Sequence, residues 1–108
     1  MWLVTQHGFY NIVHSEGDPP DVMTIKGRRR EDMEAIQFFI TTSSINESFI
    51  HDYRFLVKAK RANVMHWLSR MGEEVDYPKT KPRLSQTTPG RDGTYLSVWS
   101  LLYDLQED

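Results

Sequence analysis

The chain has 108 residues, no cysteine, 26% charged residues, and 13 basic against 15 acidic side chains, for a formal net charge of −2. At this length one domain over residues 1–108 is the expectation, because two independent cores would each fall near the lower limit of stability. Without cysteine there are no disulfides, thiolate zinc sites, iron–sulfur clusters or cysteine nucleophile, a composition expected of a cytoplasmic protein. No apolar run approaches the roughly 20 residues of a membrane-spanning helix, so no membrane association is expected.

In chain order, the aromatic and β-branched stretch from Trp2 to His14 reads as two short strands meeting at Gln6-His7-Gly8, with Gly8 supplying the backbone freedom of a tight turn, the alternative being one strand bent by a bulge at Gly8. Ser15 to Asp21 holds Gly17, Pro19 and Pro20 and breaks regular structure. A third strand follows from Val22 to Lys26 or Gly27. A helix then runs from the Arg29-Arg30 region to about Phe39. Glu31 and Asp32 lie at its positive end, and Met33, Ala35, Ile36, Phe39 and Ile40 form its apolar stripe. A fourth strand is strongest over residues 53–60, where Tyr53, Phe55, Val57 and Ala59 alternate with Arg54, Leu56, Lys58 and Lys60.

The second helix covers Asn63 to Val75, with Val64, Trp67, Leu68, Met71 and Val75 at helical spacing. Residues 77–93 contain three prolines and two glycines and cannot be one regular element. The last helix starts near Asp92 or Thr94, either of which could cap it, and presents Tyr95, Val98, Trp99, Leu102 and Leu105 on one side. Trp2, Trp67 and Trp99 each fall on an apolar stripe and read as core. The order β-β-β-α-β-α-α predicts an α+β fold in which helices cover one face of an antiparallel sheet of about four strands.

The charge is uneven along the chain. Residues 1–53 carry 4 bases and 8 acids, residues 54–83 carry 8 and 3, and residues 84–108 carry 1 and 4, giving −4, +5 and −3. A basic middle therefore lies between acidic ends, either paired with them or exposed as an anion-binding face.

No Gly-rich phosphate loop, nucleophile elbow or metalloprotease helix is present. His7, His14, His51 and His66 are scattered without ligand spacing, so neither a metal nor another cofactor is expected. His7, beside the turn glycine, is the most defensible acid–base candidate, with Tyr10 as a second. Glu73, Glu74 and Asp76 crowd the end of the second helix, where a solvated helix end is the plainer reading. The more credible site is basic and aromatic. Its binding candidates are Arg28, Arg29, Arg30, Tyr53, Arg54, Tyr77, Lys79 and Lys81, with Tyr10, Tyr53 and Tyr77 available for base stacking. Against nucleic acid stand the adjacent Glu31, Asp32 and Glu34 and a pI of about 6.1. Arginine and aromatic residues are also the usual anchors of protein interfaces.

Trp2-Leu3-x-Thr5-x-x-Gly8-Phe9-Tyr10, Asp52-Tyr53-Arg54, Asp76-Tyr77 with Lys81, and Tyr95-x-x-Val98-Trp99 together resemble a group of small uncharacterised bacterial and phage proteins. The resemblance covers most of the chain and concentrates on Thr5, Gly8, Phe9, Tyr53, Arg54, Tyr77 and Lys81. It implies a full-length single domain without implying a mechanism. Here Pro78-Lys79-Thr80 precedes Lys81, where the group more often has an asparagine and an aromatic.

The leading expectation is a small binding or regulatory module that recruits or blocks a protein partner through its basic and aromatic surface. One alternative is an RNA- or DNA-binding protein using the same residues. The other is a metal-independent enzyme acting on a phosphate-containing substrate, with His7 as acid or base, Tyr10 or Tyr77 donating a second proton, and Arg54 or Lys81 stabilising negative charge. The missing catalytic set weighs against the enzyme, and a homo-oligomer is compatible with all three readings.

Overall fold

The computed structural model describes residues 1–40, 44–75 and 90–107. Five strands, β1 (Trp2–Thr5), β2 (Gly8–Val13), β3 (Val22–Gly27), β4 (Asn46–Glu47) and β5 (Phe55–Lys60), form one antiparallel sheet in the order β1-β2-β3-β5-β4. The helices are α1 (Arg30–Ile40), α2 (Arg61–Glu73) and α3 (Asp92–Leu102), the last followed by a 3-10 turn at Tyr103–Leu105. The fold is thus α+β with an antiparallel sheet. Among the described residues the expected order gains one element, the two-residue edge strand β4, which is too short and polar to stand out in sequence.

The first turn is built by Thr5 and Gly8. Thr5 Oγ1 accepts hydrogen bonds from the N–H groups of His7 (3.0 Å) and Gly8 (3.2 Å) and donates to the Gly8 carbonyl (3.1 Å). Gly8 adopts φ +151°, a region L side chains avoid, and a Cβ placed there would lie 2.4 Å from Asp32 Cγ. Glycine is required twice over, by the backbone angle and by the carboxylate packed on it.

Alternation along the strands then sorts the side chains. Tyr10, Ile12, Ile25, Phe55, Val57 and Ala59 are buried on one face beneath Met33, Ile36 and Ile40 of α1 and Val64 and Trp67 of α2. Tyr10 meets Trp67 edge to face, 5.2 Å between ring centroids. Each large apolar side chain fully withdrawn from water contributes roughly 1.5–3 kcal/mol. On the opposite face, Lys58 Nζ donates to Asp18 Oδ1 (2.5 Å) and Thr24 Oγ1 (2.6 Å), and Thr24 in turn donates to Asp18 Oδ2 (2.8 Å).

Three expectations are overturned. Trp67 is core, but Trp2 is 75% exposed because its parity puts it on the sheet face away from α1 and α2, and Trp99 is 65% exposed. Of the stripe assigned to the last helix, only Tyr95 is half-buried, while Val98, Leu102 and Leu105 remain exposed. Helix α2 starts at Arg61, two residues before Asn63, directly from β5. Asn63 donates to the Ile40 carbonyl (3.3 Å) and so closes α1. Arg91, rather than Asp92 or Thr94, occupies the N-cap of α3. No helix among the described residues is long and apolar enough to cross a membrane.

Candidate functional site

Pairing of β3 with β5 runs up to Gly27 opposite Phe55. The residues just beyond that pair, Arg28 on one strand and Arg54 on the other, therefore emerge side by side, and Arg29 and Arg30 follow at the start of α1. This is how two arginine sites 24 or more positions apart become one surface. Together with Glu31, Glu34 and Phe55 they line a depression of about 450 Å³.

Each of three guanidiniums lies over an aromatic ring: Arg28 over Tyr53 at 4.4 Å, Arg30 over Phe55 at 5.2 Å, and Arg54 over Phe49 at 4.7 Å. Glu47, brought opposite Phe55 by β4, accepts from Arg54 Nε (2.8 Å) and Arg30 Nη2 (3.5 Å). Arg28 Nη1 donates to the Asp52 carbonyl (3.0 Å), and Arg29 Nε lies 2.7 Å from Glu31 Oε1. The arginines are held by stacking and by acids at their edges, yet all four remain solvent-exposed. Phe49 and Ile50, 78% and 91% exposed, stand beside them in the connection from β4 to β5.

A second cluster surrounds Asp32, whose side chain is only 2% exposed. Its Oδ2 accepts from the Phe9 N–H (3.2 Å) and Arg91 Nη1 (2.9 Å). Oδ1 lies 2.7 Å from the same Nη1 but off the line of any N–H. The Tyr10 hydroxyl donates to the Asp32 carbonyl (2.8 Å). Arg91 also donates to Glu31 Oε1, the same oxygen that Arg29 contacts, and to the Tyr95 hydroxyl (3.3 Å). Burial pushes the Asp32 carboxyl above the usual carboxylate range, against the opposing pull of Arg91 and the Phe9 N–H. Arg91 beside Glu31 holds that carboxyl below it. Burial works against the Arg91 charge, but Tyr95, Asp32 and Glu31 outweigh it and hold the guanidinium more firmly protonated than usual. Next to this cluster lies a cleft of about 490 Å³ lined by Trp2, Val4 and Phe9 of the sheet and by Thr94, Tyr95 and Val98 of α3.

His7 and Glu74, separate candidates in the sequence, are in contact. His7 Nε2 lies 3.2 Å from Glu74 Oε2, which also accepts from Gln6 Nε2 (2.7 Å). Burial raises the Glu74 carboxyl, but the hydrogen bonds from His7 and Gln6 prevail and hold it below its ordinary value. Tyr10 cannot stack on a base, since it is wholly buried, and burial followed by the nearby Asp32 charge pushes its hydroxyl pKa upward. Tyr53 is also buried, with its ring beneath Arg28 and 6.4 Å from Phe9.

Of the binding candidates, Arg28, Arg29, Arg30, Tyr53 and Arg54 are thus brought together. Tyr77, Lys79 and Lys81 lie outside the described residues. Among the described residues, no three His, Asp or Glu side chains gather as a metal site requires. Sequence reading missed Glu47, Phe49 and Ile50, whose place beside the arginines depends on β4 pairing. It also missed Arg91, whose partner lies 59 residues away. Comparison of the chain with protein-family models, with curated proteins and with solved structures finds no match.

Proposed function

We propose that the protein is a binding module that contacts a protein partner through the surface made by Arg28, Arg29, Arg30 and Arg54 with Phe49 and Ile50, and that it acts as a regulatory or phage–host interaction protein. The observation that carries this reading is the laying of three exposed guanidiniums over aromatic rings at the end of the β3–β5 pair. A guanidinium already stacked loses less side-chain freedom on binding than a free one, and arginine beside exposed apolar side chains is the usual composition of an interface hot spot. The complementary patch would offer carboxylates or backbone carbonyls around an apolar centre. Glu31, Glu34 and Glu47 interleave the arginines, and the exposed Phe49 lies against Arg54 with Ile50 next to it in the chain. Both features suit a mixed protein surface better than a phosphate backbone.

The test is affinity capture from the producing cells with and without nuclease, comparing the wild type with Arg30→Gln/Arg54→Gln. The reading expects a nuclease-resistant protein partner that the wild type retains and the double variant loses. Capture abolished by nuclease would transfer the surface to nucleic acid, and equal retention by both proteins would remove the surface from the function.

A further inference from the structure

The two edges of the sheet are unlike. At one end β4 is two residues long and carries Glu47, which keeps that edge from templating another strand. At the other end β1, Trp2-Leu3-Val4-Thr5, has no charge, no proline and no bulge, and among the described residues no strand pairs with its outer side. Its register is fixed by Leu3 opposite Tyr10 and Thr5 opposite Gly8. The Ile12 N–H donates to the Met1 carbonyl (2.8 Å), and the Met1 amine donates to the Ile12 carbonyl (2.7 Å). Odd-numbered residues thus bond inward, and antiparallel alternation turns the N–H and C=O groups of Trp2 and Val4 outward.

Both flanks of that edge are apolar. On the helix side a groove of about 300 Å³ runs between β1 and α2, lined by Leu3, Leu68, Met71 and Val75 among others. On the open side stand the exposed Trp2 and Val4, in the same cleft as Val98. Leu101, Leu102 and Leu105 continue the stripe of α3 that begins with Arg91, Thr94, Tyr95 and Val98. One turn and more beyond Val98, about 5.4 Å each, they are exposed.

We propose that the outer edge of β1 is a homodimer interface: a second copy of the chain adds its own β1 antiparallel to the first about a two-fold axis, joining two five-stranded sheets into one of ten strands. The occupant is a second copy because this edge complements itself. With Leu3 on the axis, Trp2 faces the second copy's Val4 and Val4 faces its Trp2. All eight outward backbone groups then pair in four hydrogen bonds, and an uncharged strand meets no like charge in its own image. The same register sets the two Leu3 side chains together at the mouths of the two helix-side grooves. Four strand residues alone fall short of the roughly 800 Å² per partner that stable interfaces bury, so the proposed interface also takes in the exposed Trp2 and, beyond Val98, the exposed Leu101, Leu102 and Leu105. The cleft that holds Trp2 and Val4 also reaches Arg28 and Arg29, whereas Arg30 and Arg54 line a different depression and stand apart from this interface.

The test is sedimentation equilibrium of the purified full chain over micromolar to submillimolar concentration, on the wild type, Val4→Pro and Leu102→Glu. Proline at position 4 deletes an outward N–H and leaves the β1–β2 ladder its donors. The expected result is twice the 12.7 kDa chain mass for the wild type and the single-chain mass for both variants. A monomeric wild type throughout, a species larger than two chains, or a dimer retained by either variant would overturn the proposal. Should Val4→Pro fail to fold, amide exchange replaces it: the Trp2 and Val4 amides should be protected in the wild type and exchange freely in Leu102→Glu, and equal exchange in both would overturn the proposal. Arg30→Gln/Arg54→Gln should leave the dimer intact, so loss of partner binding and loss of dimerisation are read separately.

Discussion

At Gly8, φ of +151° coincides with a position where any Cβ would overlap Asp32. Gly8→Ala should therefore cost about 2–3 kcal/mol, read as a lowered urea midpoint, since the strained backbone cannot relax without displacing the carboxylate. The turn role of this glycine was legible from its place between two apolar runs. Asp32 was not, because in sequence it reads as one of two acids complementing the α1 dipole, and its burial depends on Arg91 arriving from far along the chain. Arg91→Ala leaves that carboxylate buried without its cation and should destabilise by about 3 kcal/mol, part of which Asp32→Asn should restore. Burial already holds the Asp32 pKa above its unfolded value. The folded state is thus favoured at low pH and loses that advantage as pH rises through the folded pKa, and the Arg91→Ala deficit should widen as pH rises above the ordinary aspartate value of 3.8. Asp18 has the opposite sign. The hydrogen bond from Lys58, against a smaller opposing effect of burial and with help from Thr24 and the Ser15 N–H, lowers its pKa from 3.8 to about 2. Its stabilisation is complete above 3.8 and is lost as pH falls toward 2, and urea unfolding of Lys58→Met across that window should lack this acid-dependent loss.

Among the elements, β2, β3 and β5 and the first two helices could be read from period alone, because each has one buried face and alternates accordingly. The start of α2 could not. It leaves β5 with Lys60 at the N-cap and no side chain capping it, so the apolar spacing that begins at Val64 placed the start two residues too late. Lys60→Ser should supply the missing acceptor and raise stability by about 0.5–1 kcal/mol, measurable as a higher thermal midpoint. Helix α3 shows the converse failure. Its apolar stripe was correctly placed, but a stripe says only that a surface should be covered, not by what, and most of this one lies outside the domain's own core. The aromatic and arginine members of the candidate site were legible as residue types. Their convergence was legible only in retrospect, from the antiparallel register that sets Gly27 opposite Phe55.

Across the whole molecule, the near-neutral total conceals compensation between segments. Lys58 and Arg54 of the basic middle pair with Asp18 and Glu47 of the acidic first half, and Arg91 of the acidic last segment pairs with Glu31 and Asp32. The pairing is incomplete in its effect, because Arg28, Arg29, Arg30 and Arg54 stay exposed even with Glu31, Glu34 and Glu47 among them. Two surfaces thus differ in chemistry, an uncharged edge that suits self-association and an arginine–aromatic face that suits a partner, and they adjoin at Arg28 and Arg29. Calorimetric titration of the captured partner with the wild type and with Arg30→Gln/Arg54→Gln tests the second and central claim most directly. The account predicts affinity weakened by about tenfold or more in the double variant, equivalent to at least 1.4 kcal/mol, and unchanged in a Lys60→Gln/Arg61→Gln control. Equal affinity of the wild type and Arg30→Gln/Arg54→Gln would contradict it.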